Sequence, residues 1–133
     1  MKYLTLILVI GFSTLSTEAM ACKCRTITIQ EDFESSQNVM EITVLKLLKK
    51  KRNGDRIYIA KVNRQYKGSI ISNKVKIKQG TSSCDLYYRV RKSYLFYGGE
   101  VENDIYTTSL CHRTREMNIA FEDIQILDEL TKN

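Results

Sequence analysis

Four cysteines, two of them directly behind a cleavage pattern, constrain this chain more than any other feature: Cys22, Cys24, Cys84 and Cys111. Lys2 supplies a positive start, Leu4 to Phe12 form a short apolar core, and Ala19 and Ala21 complete a small-residue cleavage site. The apolar stretch is too short to span a bilayer, and no second one follows it. Residues 1–21 therefore read as a secretory signal, and residues 22–133 as one domain with a modest core. Cleavage after Ala21 would make Cys22 the N-terminus, with a free α-amine. An even number of cysteines in a secreted chain points to two disulfides. A Cys22–Cys24 bridge would close a very tight, strained ring, which leaves two pairings open. Both tie the N-terminus to the middle and the end of the chain, and a loop that long stabilises by up to about 4 kcal/mol on chain-entropy grounds.

Basic residues outnumber acidic ones 21 to 15. The signal carries one of each, so the net charge of +6 stays with the domain. It concentrates between Lys46 and Lys78. Lys74, Lys76 and Lys78 alternate with Val75 and Ile77, as on a strand with one apolar and one basic face. Lys49, Lys50, Lys51 and Arg52 fall at a predicted turn. Together these seven cations are a candidate site for sulfated glycosaminoglycan; a solvated strand face and a soluble hairpin tip explain them equally well. Secretion argues against nucleic acid.

The pattern is β-rich with a helical end. Residues 22–30 read as extended and 31–37 as a short helix or turn with Phe33 inward. Strands are expected at 39–48 and 57–66, joined through Asn53-Gly54, the strongest hairpin signal in the chain. Further strands fit 72–79, 86–90, 93–97 and 105–109, with Gly98-Gly99 and Asn103-Asp104 as punctuation. From Met117 the apolar residues Ala120, Phe121, Ile124, Leu127 and Leu130 recur at helical steps, with Asn118 as a cap. The chain has no proline and no repeat. The expected fold is mainly β with a C-terminal helix: a closed, OB-like barrel of five to six short strands, stapled at its N-terminus by disulfides.

Catalytic constellations are poor. His112, the single histidine, has no partner that sequence identifies, and the carboxylates are scattered. Disulfides would consume every thiol nucleophile. A C-x-C pair with two remote cysteines fits no common structural zinc site. The chain is not expected to be an enzyme or to hold a cofactor of its own.

Several segments resemble, in order and at similar spacing, the tissue inhibitors of metalloproteinases. Cys22-Lys23-Cys24 resembles the mature start of that family, Val39-Met40-Glu41-Ile42-Thr43-Val44 its first strand, and Tyr66-Lys67-Gly68 its aromatic-Lys-Gly turn. Ser82-Ser83-Cys84 resembles the loop before its third shared cysteine. Lys92-Ser93-Tyr94-Leu95 and Thr108-Ser109-Leu110-Cys111 resemble its Tyr-Leu strand and Thr-Leu-Cys segment. The resemblance covers most of residues 22–111 and implies a netrin-like inhibitory domain over 22–133. It implies the pairing Cys22–Cys84 and Cys24–Cys111. It also gives Cys22 a role, since in that family the terminal amine and first carbonyl chelate the catalytic zinc of the target protease. Lys23, Cys24, Arg25, Thr26, Ser82 and Ser83 would form the contact ridge. The partners implied are zinc metalloendopeptidases, of the matrix type or related, met in the extracellular space or matrix by a monomer with no membrane contact.

The departures are specific. Glu34 stands where the family carries a further cysteine, the usual N-terminal prolines are missing, and residues 112–133 hold no counterpart of the second, disulfide-rich domain of vertebrate members. Lys23 replaces the small residue that enters the primary specificity pocket, and burying an ammonium there is costly unless it finds a partner or reaches water. Two other readings are open. One is a non-inhibitory netrin-like module that binds matrix, glycosaminoglycan or growth factor. The other is a lipid-anchored bacterial surface protein, for which Ala19 and Met20 are poor lipobox residues.

Overall fold

Thr28 starts the first helix by a reciprocal pair of bonds: its Oγ1 accepts from the Glu31 amide, and the Glu31 carboxylate accepts from the Thr28 amide. In this computed structural model, which describes residues 22–132, helix α1 spans Ile29–Ser35. The proposed signal and its cleavage site lie outside the described residues. Strands follow at β1 (Asn38–Lys50), β2 (Arg56–Lys67), β3 (Lys74–Gln79), β4 (Ser93–Glu102), β5 (Ile105–Thr107) and β6 (Arg115–Glu116). A 3-10 turn at Met117–Ile119 leads into helix α2, Phe121–Leu130.

The sheet runs β1-β2-β3-β5-β4, and β4 returns to pair with β1, closing a five-stranded barrel. β6 attaches outside, on β4. Every pairing is antiparallel except β3 with β5. This is the OB-like closed barrel expected from the sequence, and closure removes most of the free edges that a small sheet would expose.

Strand alternation divides the core in two. Met40, Ile42 and Val44 of β1 point into the barrel with Tyr58, Ala60, Val75, Ile77, Tyr94 and Phe96. Val39, Leu95 and Tyr97 point the other way, against Ile29, Tyr66, Ala120 and Leu127 under the two helices. Residues 94–97 are therefore buried on both faces, which accounts for four consecutive large apolar side chains. β1 runs on past Thr43, its last residue paired with β4 (opposite Ser93), to Lys50. Its residues from Leu45 to Lys50 are all exposed, with register shifts at Val44/Lys46 and Leu47/Lys49.

Several expectations change. Residues 86–90 form no strand: Tyr88 turns inward as a plug, its ring 5.2 Å from Tyr94 and 6.0 Å from Tyr58. Its amide donates to the Gln79 side chain, and that of Arg89 to the Tyr94 hydroxyl, so side chains replace the ladder. Gly98-Gly99 does not end β4 but carries it through, because a Cβ at Gly98 would lie 2.1 Å from the Thr107 carbonyl on β5. The strands expected at 72–79 and 105–109 are shorter, and β6 was not expected. Asn118 does not cap the last helix; Ala120 occupies that position, without a side-chain bond. Phe121, counted among its apolar face, is 71% exposed. Asn53-Gly54 does close the hairpin, with Gly54 at a φ of 93° that a side chain would strain.

Candidate functional site

Residues 22–28 have no regular secondary structure, and Lys23 to Thr26 are exposed. Covalent bonds hold this segment. Cys22 is bonded to Cys84 and Cys24 to Cys111, with Cα–Cα distances of 4.9 and 5.1 Å, and no cysteine is free. This is the pairing that the resemblance implies. The bridges lie side by side, with the Cys22 sulfur 3.8 Å from that of Cys24 and 3.6 Å from that of Cys111. Three of these sulfurs cluster closely enough to suggest a metal site. Disulfide sulfur offers no thiolate, so the cluster has no ligand set of its own.

Two loops flank the segment. In the first, the Asp85 carboxylate accepts from the Ser82 amide and hydroxyl, both at 2.8 Å, while the Ser82 Oγ accepts from the Cys84 amide. Asp85 thus shapes the loop that carries Ser82 and Ser83. In the second, the Leu110 amide donates to the Cys84 carbonyl at 2.8 Å, joining the loops backbone to backbone. The Leu110 side chain is 48% exposed beside the bridge. The expected ridge residues around Cys22, Lys23 and Cys24 are therefore drawn together with Ser82 and Ser83, and Leu110 joins them.

Beneath the ridge lies a polar anchor that sequence reading missed. Asp32, fully buried in α1, accepts from the Arg113 amide at 2.6 Å and from Ser36, and its Oδ1 is 2.6 Å from the His112 Nδ1. Helix α1 is thereby fixed to the chain just beyond Cys111. The bond to Asp32 raises the His112 pKa above its ordinary value, against the lowering effect of burial. Arg113 pairs through two nitrogens with Asp123 of α2, at 2.8 Å each, and Tyr97 donates to the same carboxylate. Burial alone would raise the Asp123 carboxyl, but these bonds outweigh it and hold it below its ordinary value. A partial signal was present: Ile29, Asp32, Phe33 and Ser36 share one helical face. A carboxylate on such a face looks like an error until its distant partners are known.

The basic residues separate. Lys74 and Lys76 project from β3, and Lys49 and Lys50 end β1 before the turn at Lys51 and Arg52. Lys78 does not belong to a free cationic face. It is half-buried and pairs with Asp55 at 3.3 Å.

The sequence matches no family model, and no curated protein matches it.

Proposed function

We propose that this protein is a secreted inhibitor of zinc metalloendopeptidases whose mature terminus, Cys22, occupies the open coordination position of the target's catalytic zinc. The observation that carries the reading is the segment from Cys22 to Thr26, exposed from Lys23 onward and pinned at both of its cysteines between two mutually bonded loops. A short peptide fixed in this way loses little conformational freedom on binding, so more of its contact energy appears as affinity. The ordered resemblance across residues 22–111 points the same way.

The chemistry is simple. A catalytic zinc keeps one position for water, and an amine with a neighbouring carbonyl oxygen suits it at about 2.0–2.2 Å. An α-amine has an ordinary pKa near 8, so losing its proton to a metal costs little at neutral pH. Lys23 would point into the primary specificity pocket, with Ser82, Ser83 and Leu110 alongside. Its cation favours targets whose pocket is deep, open-ended or acidic and disfavours closed apolar ones.

The test is a panel of zinc endopeptidases assayed with protein whose terminus is verified by intact mass. One added alanine before Cys22 converts the amine to an amide without a free lone pair. Inhibition should then fall by orders of magnitude, with the melting temperature unchanged. An extended form that inhibits as well as the native one rejects chelation. If neither form inhibits, the second reading gains: an extracellular module that binds through the cations of β3 and the hairpin tip.

A further inference from the structure

β1 loses its outer neighbour part-way along. Thr43 faces Ser93 of β4, and Val44 is still bonded to the segment that leads into β4: its amide donates to the Lys92 carbonyl, and its carbonyl accepts from the Arg91 amide. Arg91 then turns that segment away at a φ of 71°, a left-handed conformation that costs a side-chain-bearing residue energy. Over residues 45–50 the strand pairs with β2 alone among the described residues. One edge of its backbone is left without a ladder there, and such an edge is a template for an added strand.

The side chains on this stretch add to that. Leu45, Leu47 and Leu48 are between 37% and 47% exposed, which gains the isolated fold nothing. Val90, next to the Arg91 amide that bonds Val44, is exposed to the same degree at the start of the edge. Lys46, Lys49 and Lys50, with Arg52 at the turn, are exposed too, and none takes part in an ion pair among the described residues. No acidic residue lies between Glu41 and Asp55 to offset them.

The edge therefore joins unpaired backbone groups, apolar side chains and uncompensated positive charge. A sulfated glycan would use the cations and leave the backbone and the leucines idle. A second copy of this chain would offer an edge but set lysine against lysine. An extended peptide that alternates acidic and apolar residues supplies backbone partners, carboxylates and apolar contacts at once. A single short strand can also follow the twist that the two bulges impose on β1. We propose that the free edge of β1, residues 45–50, is a docking site for an acidic, extended segment of a partner protein, which adds to it as a further antiparallel strand. The assignment does not rest on the function proposed for the ridge.

The experiment is a titration of the 15N-labelled, disulfide-bonded protein with a blocked heptapeptide of alternating glutamate and valine, followed by amide shifts. Saturable shifts are expected at residues 44–50. Replacing Lys46→Glu and Lys49→Glu together should weaken binding at least about tenfold, since attractive cross-strand pairs become repulsive ones. The same peptide methylated at its backbone nitrogens keeps its charges and apolar side chains but cannot complete a ladder. It should also bind at least about tenfold more weakly. The proposal falls if no saturable shift appears at residues 44–50, or if either the methylated peptide or the doubly substituted protein binds as tightly as its parent. It also falls if a heparin oligosaccharide shifts the same amides more strongly than the peptide, because the edge then reads polyanions through its lysines alone. Shifts of those amides on concentrating the protein without peptide would overturn it as well, by making a second copy the occupant.

Discussion

The ridge and the barrel wall are held by different forces. In the wall, side chains such as Phe96 and Ile42 are fully buried, and burial fixes the backbone that carries them. In the ridge, Lys23 to Thr26 are exposed and in no ladder, so position comes from two covalent bridges and from the hydrogen-bonded anchor beneath them. An exposed segment in no ladder gains little from burial, and cross-links then supply the rigidity that packing would supply elsewhere. The wall needs no such help.

This contrast can be broken first at the anchor. Asp123→Ala leaves the Arg113 guanidinium with no carboxylate partner, only the Ile27 carbonyl at 3.4 Å, in a largely buried place, and the expected loss is about 3–5 kcal/mol of unfolding free energy by denaturant titration. A loss under about 1 kcal/mol would mean that water solvates Arg113 and that the anchor is peripheral. Next is the bridge itself. Replacing Cys24→Ser and Cys111→Ser together should cost about 2–5 kcal/mol. Hydrogen exchange should quicken at residues 22–28 and 109–113 well before β1 and β4. Uniform loosening of both regions would show that the bridge supports the barrel as much as the ridge.

A smaller effect concerns pH. His112 has a raised pKa in the fold, so its contribution is fully present below about 6.5, its ordinary value, and is lost as pH rises through the folded value. Stability should fall across that interval, and His112→Asn, which keeps a donor for Asp32, should flatten the slope. An unchanged slope in the variant would assign the dependence to another group. The smallest effect lies on the wall. Lys61 and Lys74 stand opposite each other across β2 and β3; Lys61→Glu turns this pair of like charges into an attractive one and should raise stability by about 0.2–1 kcal/mol. A decrease would show that the lysine stem, rather than its charge, matters at that position.

The two regions also differed in how legible they were. The barrel could be read because strand alternation is local: Val75 and Ile77 against Lys74 and Lys76 declare their faces within five residues. The terminal helix followed from its period in the same way, although it begins at Phe121 behind a 3-10 turn rather than at Met117. Residues 86–90 misled because Leu86, Tyr88 and Val90 alternate as a strand would, while the backbone around them is bonded by Gln79 and Tyr94 side chains. The anchor could not be read at all. Asp32 meets His112 and Arg113 across some 80 residues, and nothing local distinguishes a buried carboxylate with partners from a surface one. Lys78 was miscounted for the same reason, since its charge belongs to Asp55, 23 positions earlier. Cysteine count and ring strain reduced the disulfides to two choices, and only the resemblance distinguished them.

Beyond Val44, the outer side of β1 has no neighbouring strand among the described residues, and three leucines sit there in the open. Such an edge invites other chains to add themselves and begin a fibril. Lys46, Lys49 and Lys50 are interleaved with Leu45, Leu47 and Leu48, and two bulges twist the strand out of the flat register that stacking requires. A concentrated solution of this protein should therefore stay clear where a version with Lys46→Val and Lys49→Val turns cloudy.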